Sequence, residues 1–216
     1  MTPVKPEIRT DILCESTLQE TVQRLAQGGV IAYPTETVYG LGVDPYQPEA
    51  LRKLYQLKGR RHSNPVSLLI PSLDSLVDFV VEVSGKSRIL MTKYWPGPLT
   101  LLFAAASSVP ESVTGGTGKI GIRISANPFC TALLSKWGKS LVSTSANPSA
   151  EPPALTAREV KKYFKQGLDL ILDGGRMAGT PSTILDVSID PPLLIREGTI
   201  DRSMLEEDIG AIEKKQ

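Results

Sequence analysis

Short β-leaning runs that end in loops crowded with hydroxyls, each separated from the next by a helical stretch, constrain this chain more than any single motif. Val30 to Tyr33 is such a run, and it stops at Pro34, which opens PTETVYGLG (34–42). Leu141 to Ser143 is a second, so STSANPS (143–149) occupies the loop after a strand. Strands that alternate with helices, with a few strands adjacent in sequence, predict an α/β single domain built on a mixed sheet.

The helices are read from spacing and caps. Ser16 with Gln19 forms a capping-box pattern ahead of Leu18, Val22, Leu25 and Ala26, and Gly28-Gly29 stops that helix. Pro48 suits a first helical position, Leu51, Leu54, Tyr55 and Lys58 follow on one face, and Gly59 ends it. Leu73 to Val81 and Lys86 to Trp95 read as helices, Asn127-Pro128 opens another through Trp137, and Thr156 with Glu159 caps one more. Further strands are expected at Val66–Ile70, Leu99–Ala105, Asp169–Leu172, Thr183–Val187 and Leu193–Ile195. In Lys119 to Ser125 the isoleucines alternate with Lys119, Gly121 and Arg123, which places Arg123 on the open face of a half-buried strand. Residues 106–118 read as a mobile loop, and the final EKKQ as a frayed tail.

With Lys+Arg at 24 against Asp+Glu at 23, the whole molecule exerts no pull on nucleic acid or an anionic membrane, so cationic character has to be local. Cys14 and Cys130 are too few for a disulfide framework or a zinc site and fit a reducing cytosol. No stretch reaches the about 18 apolar residues of a membrane span. A soluble cytoplasmic protein is expected.

Local cations occur in KGRRHSNP (58–65), where Lys58 and Arg60 flank a helix end ahead of Asn64, and at the strand ends Arg123 and Arg196. Cations beside the hydroxyls and amide of Ser143, Ser145 and Asn147 suit a polyphosphate held by side chains, without a glycine-rich loop. Neither the Walker spacing nor the dinucleotide glycine fingerprint occurs. His62 reads as a bystander, GGTG (115–118) is explained by a flexible loop as well as by phosphate binding, and Asp173 is a carboxylate without the partners a metal needs, so no metal ligands are assigned.

Taken together, PTETVYGLG, KGR followed by NP, the GIR strand, STSAN, PST (181–183) and IREG (195–198) resemble the YrdC/Sua5 family. The resemblance implies a twisted sheet around a large concave basic cavity in a YrdC-like domain at 1–200, with a short helix and tail at 201–216. It implies ATP-dependent synthesis of L-threonylcarbamoyl-AMP from L-threonine and bicarbonate. The reaction uses magnesium, releases pyrophosphate and feeds N6-threonylcarbamoyladenosine modification of tRNA, with a transferase complex downstream. By motif, Lys58, Arg60, Ser145 and Asn147 match the catalytic tetrad. Thr37, Arg123 and Ser143 match the threonine side, and Arg60, Asn64, Ser145 and Arg196 the nucleotide side. Leu69 stands where longer relatives have a histidine, and Lys119 where a threonine is frequent. Those departures leave open a YciO-like paralogue of the same fold, and the same cations leave open a non-enzymatic module binding tRNA or double-stranded RNA.

Overall fold

The computed structural model describes residues 6–61 and 63–214; His62 and the last two residues of the EKKQ tail lie outside the described residues. In chain order the elements are β1 (Glu7–Arg9), α1 (Glu15–Ala26), β2 (Ile31–Tyr33), β3 (Gly40–Gly42), α2 (Pro48–Lys58), β4 (Ser67–Leu69), α3 (Gly85–Tyr94), β5 (Leu99–Ala104) and α4 (Glu111–Thr114). They continue with β6 (Lys119–Arg123), α5 (Pro128–Trp137), β7 (Leu141–Ser145), α6 (Ala157–Tyr163), β8 (Leu170–Leu172), β9 (Thr183–Asp186), β10 (Leu193–Arg196), α7 (Arg202–Ile209) and β11 (Glu213–Lys214). The strands join in the order β1-β8-β2-β3-β7-β4-β6-β5-β9-β10-β11. Pairing is mixed: β4 lies parallel to β6 and antiparallel to β7, and β5 parallel to β9 and antiparallel to β6. This is the mixed α/β sheet the sequence predicts.

Strand alternation divides the apolar residues between two faces. Ala32, Leu68, Val142 and Ile171 point into the larger core, whereas Ile31, Tyr33, Leu69, Leu141, Leu170 and Leu172 point to the opposite face. There Leu18 and Leu25 of α1 and Phe129, Leu133 and Leu134 of α5 cover them. This cover reaches from β8 and β2 as far as Leu141 of β7 and Leu69 of β4, and beyond it the residues of β6, β5 and β9 on the same face line a cavity. Each fully buried leucine at this seam contributes about 1.5–3 kcal/mol relative to exposure, so truncating Leu133 would loosen both helices.

Several elements depart from the sequence reading. α1 begins at Glu15 with Cys14 as N-cap and no side-chain cap; the hydroxyl of Ser16 lies 3.3 Å from the Cys14 sulfur, so no capping box forms. Leu73–Val81 is not an α-helix: it contains a 3-10 turn at Asp74–Asp78, and Val80 then bridges to Ala105. The loop 106–118 is packed down, since α4 lies within it, Val113 is fully buried, and the Val113 carbonyl accepts from Val66 N at 3.0 Å. Glu213 and Lys214 are not frayed but pair with β10, while Leu205, Ile209 and Ile212 join the larger core. Thr156 caps α6 as its spacing predicts, accepting from Glu159 N at 3.2 Å, although the Glu159 carboxylate turns to Leu155 N at 2.6 Å instead of closing the box. Among the described residues no helix is long and apolar enough to cross a membrane.

Candidate active site

Ile120 and Ile122 of β6 sink into the core, so Lys119, Gly121 and Arg123 face the uncovered half of the sheet. The same alternation turns Ser67 and Leu69 of β4, Thr100 and Leu102 of β5, and Ile184 and Asp186 of β9 toward it. These side chains floor a cavity of about 440 Å³. Its walls come from the 34–39 loop, Arg60 beyond α2, β7, and Ser182 with Arg196 on the far side.

The 34–39 loop is self-bonded. The Thr35 hydroxyl donates to Val38 O at 2.6 Å, accepts from Thr37 N at 3.1 Å, and lies 2.9 Å from the Thr37 hydroxyl. The loop carries Glu36 to Arg123: a carboxylate oxygen sits 3.9 Å from the guanidinium, and the other accepts from Ser125 Oγ at 2.5 Å. The oxygen that faces Arg123, Oε1, is buried with no hydrogen-bond partner among the described residues. Ser143 is held by the hydroxyl of buried Tyr33, which donates to it at 2.9 Å, and burial pushes that phenol well above its usual range.

Gly40 and Gly42 lie within β3, so PTETVYGLG is not a loop throughout. A Cβ at Gly42 would stand 2.8 Å from the Tyr33 ring and 3.1 Å from Leu141. These glycines therefore make room for the tyrosine that fixes Ser143.

Arg60 follows the left-handed Gly59 that ends α2 and swings over β4 and β7. Its guanidinium donates to Pro65 O at 2.6 Å and Thr144 Oγ1 at 3.4 Å, while its Nε is buried without a partner among the described residues. Burial lowers its pKa, which is the signature of a cation short of a counter-charge. Arg196 donates to Ser182 O at 2.8 and 3.1 Å; its pKa too is lowered by burial and then by Arg123. The Ser182 hydroxyl lies 3.0 Å from that of Thr100.

Thr37, Arg60, Arg123, Ser143, Ser145 and Arg196 are thus brought together around one cavity. Lys58, Asn147 and Asn64 are not in its wall. Lys58 is 3% exposed and spends its ammonium on the carbonyls of Ser145 and Asn147, at 2.5 and 2.9 Å. Burial and the neighbouring Arg60 bring its pKa down to about 7. Asn147 clips its own loop by donating to Pro148 O at 3.0 Å and Glu151 O at 2.6 Å, and Asn64 is exposed. Ser143 and Ser145 belong to β7 itself and not to a loop beyond it. Thr35, Ser67, Thr100, Thr117 and Ser182 are wall residues that sequence reasoning did not single out, although each lies in or next to a motif or strand it had marked.

The Sua5/YciO/YrdC family model, described under telomere recombination, matches residues 23–198, which span both the cavity floor and its walls. The chain belongs to this family. The Sua5/YciO/YrdC relative named threonylcarbamoyl-AMP synthase in Pyrococcus abyssi is 33% identical over 189 residues, 87% of this chain and 56% of that protein. The one so named in Halorhodospira halophila is 36% identical over 181 residues, 84% of this chain and 90% of that protein. The chain therefore spans little more than half the length of the first relative and most of the second. Among solved structures, Pyrococcus abyssi Sua5 complexed with L-threonine superposes with a TM-score of 0.90 at 31% identity, covering 94% of this chain and 60% of that one. Escherichia coli YciO superposes with a TM-score of 0.80 at 27% identity, covering 92% and 94%. Both lineages of the Sua5/YciO/YrdC family share the sheet that floors this cavity.

Within the family frame the two departures acquire positions. Leu69 is buried, pairs with Arg123 across β4 and β6, and lies in both the cavity wall and the α5 core. Lys119 lies in the wall with its ammonium 2.7 Å from Asp186 Oδ2. Among the described residues no group of three or more acidic, histidine or cysteine side chains is disposed to hold a metal ion.

Proposed function

We propose that this protein makes L-threonylcarbamoyl-AMP from L-threonine, bicarbonate and ATP, in support of tRNA modification. One observation carries the reading: Arg60, Arg123 and Arg196 share a single cavity of about 440 Å³, and no carboxylate among the described residues is at hydrogen-bond distance from any of them. A space of that size suits a nucleotide with an amino acid and is too small for an RNA duplex, which favours catalysis over a purely RNA-binding role.

Arg123 offers a fork for the carboxylate of threonine, beside the hydroxyls of Ser143 and Thr37. Nearby cations disfavour the ammonium form of the substrate amine, so the neutral amine is available to take up the carbon of bicarbonate, with loss of water. An oxygen of the resulting carbamate then bonds to the α-phosphorus of ATP as the bond to the pyrophosphate oxygen breaks. Two anions meet in that step, and Arg60, Arg196 and the donors of Ser145 cancel their repulsion. Lys58 holds Ser145 at the end of β7 through its carbonyl, and Asn147 clips the turn that follows, so Lys58 and Asn147 are positioning residues. Among the described residues Asp186 is the one carboxylate in the wall, and it is already paired with Lys119. Magnesium accordingly enters on the phosphates of ATP, and no step is assigned to a protein-held ion.

The test is pyrophosphate release by the purified chain with each substrate omitted in turn. Release that requires both threonine and bicarbonate is the expected result. Release without threonine, or none with all three present, removes the reading and leaves the YciO-like alternative.

A further inference from the structure

The lysine in the cavity is held differently from the arginines. Lys119 Nζ donates to Asp186 Oδ2 at 2.7 Å, and Asp186 is 3% exposed. The other oxygen of Asp186 accepts from the amide and hydroxyl of Ser188, at 3.0 and 2.6 Å, which fixes the carboxylate as an acceptor. Lys119 stands four residues from Arg123 on β6, about 13 Å along an extended strand. Between them Gly121 leaves the floor flat, because a Cβ there would come within 2.6 Å of Ser67 Oγ and 3.0 Å of Leu102.

The consequence is electrostatic. An ammonium paired with a carboxylate exerts little net field, and the carboxylate repels a phosphate that approaches the pair. Two of the three ammonium protons make no hydrogen bond among the described residues, so directional donation remains. Apolar Leu102 lies beside the pair.

Resting on the function proposed above, we propose that Lys119, oriented by Asp186, positions the uncharged nucleoside part of the nucleotide by donating to a sugar hydroxyl or base acceptor. The arginines are left to take the phosphates. Lys119 is thereby a specificity determinant of this chain.

Three variants separate this role from phosphate binding. Lys119→Met removes the donor, Lys119→Met with Asp186→Asn does so without leaving a buried carboxylate unpaired, and Lys119→Arg keeps a donor. Adenosine and inorganic pyrophosphate are titrated separately into each by calorimetry, and ATP kinetics are measured at saturating threonine and bicarbonate. The expected result is about tenfold weaker adenosine binding and about tenfold higher KM for ATP in both methionine variants, the size of one lost directional contact. Pyrophosphate affinity and kcat should stay within about threefold, and Lys119→Arg should recover most of the loss. Weakened pyrophosphate binding with adenosine binding intact would assign Lys119 to the phosphates and overturn the inference. So would unchanged adenosine binding in both methionine variants. If the wild-type chain binds neither probe, the proposed function fails before the role of Lys119 is reached.

Discussion

The ammonium of Lys58 lies 2.5 Å from the main-chain carbonyl of Ser145, a residue 87 positions away, and 2.9 Å from that of Asn147. The lysine therefore acts on the site from behind, fastening the end of β7 to the end of α2. A cation in the second layer, with arginines in the first, separates the holding of the loop from the neutralising of substrate charge.

That burial has a pH signature. Lys58 titrates near 10.5 when unfolded, while burial and then Arg60 depress it to about 7 in the folded protein. Between those values the unfolded state binds more protons at this residue, so the contribution of Lys58 to stability rises with pH from about 7 towards 10. Urea unfolding across that range should show the rise in the wild type and lose it in Lys58→Met. An identical slope in both proteins would place the titration elsewhere.

Arg60 supplies a different test. Its Nε is buried without a partner among the described residues, and its other nitrogens reach only neutral oxygens. Removing a buried charge contact of this kind costs about 2–5 kcal/mol, so Arg60→Ala should lower kcat/KM for pyrophosphate release by at least about thirtyfold. Arg60→Lys should recover little of it, because a lysine lacks the planar fork. Turnover close to wild type in either variant would remove Arg60 from the reacting centre.

Gly42→Ala probes the scaffold. The added methyl would meet the Tyr33 ring at 2.8 Å and Leu141 at 3.1 Å inside a packed face. Overpacking of this sort costs about 1–3 kcal/mol. Thermal unfolding should report the loss, and because Tyr33 also holds Ser143 at 2.9 Å, the KM for threonine should rise with it. An unchanged melting temperature would mean that the ring can move aside.

The sequence made legible what alternation and spacing control. Arg123 could be assigned to an open face because Ile120 and Ile122 occupy the other, and the ends of α2 and α5 follow from Pro48, Gly59 and Asn127-Pro128. What long-range packing decides stayed hidden. β3 has glycines where a strand wants branched side chains, and it is a strand because Tyr33 lies across it. Lys58 shares its helical face with Leu51, Leu54 and Tyr55, so its burial was written in the spacing while its charge suggested exposure. The Lys119–Asp186 pair spans 67 positions, and nothing local announces it. The apolar spacing of Leu73–Val81 suggested an α-helix, but Ser75 Oγ donates back to Ser72 O at 2.7 Å and Val80 is drawn to Ala105.

Recognition and cohesion share the same few strands: each odd residue of β6 meets solute while each even one anchors the domain, and only the even set is answerable to folding. An exchange at Leu69 would disturb both, since it alone among the floor residues also packs under α5. An exchange at Lys119 leaves that helix-covered core untouched, provided that Asp186 is given another partner or loses its charge. New ligand preferences can accordingly arise by single replacements on the exposed lattice of this sheet, with its concealed side unchanged.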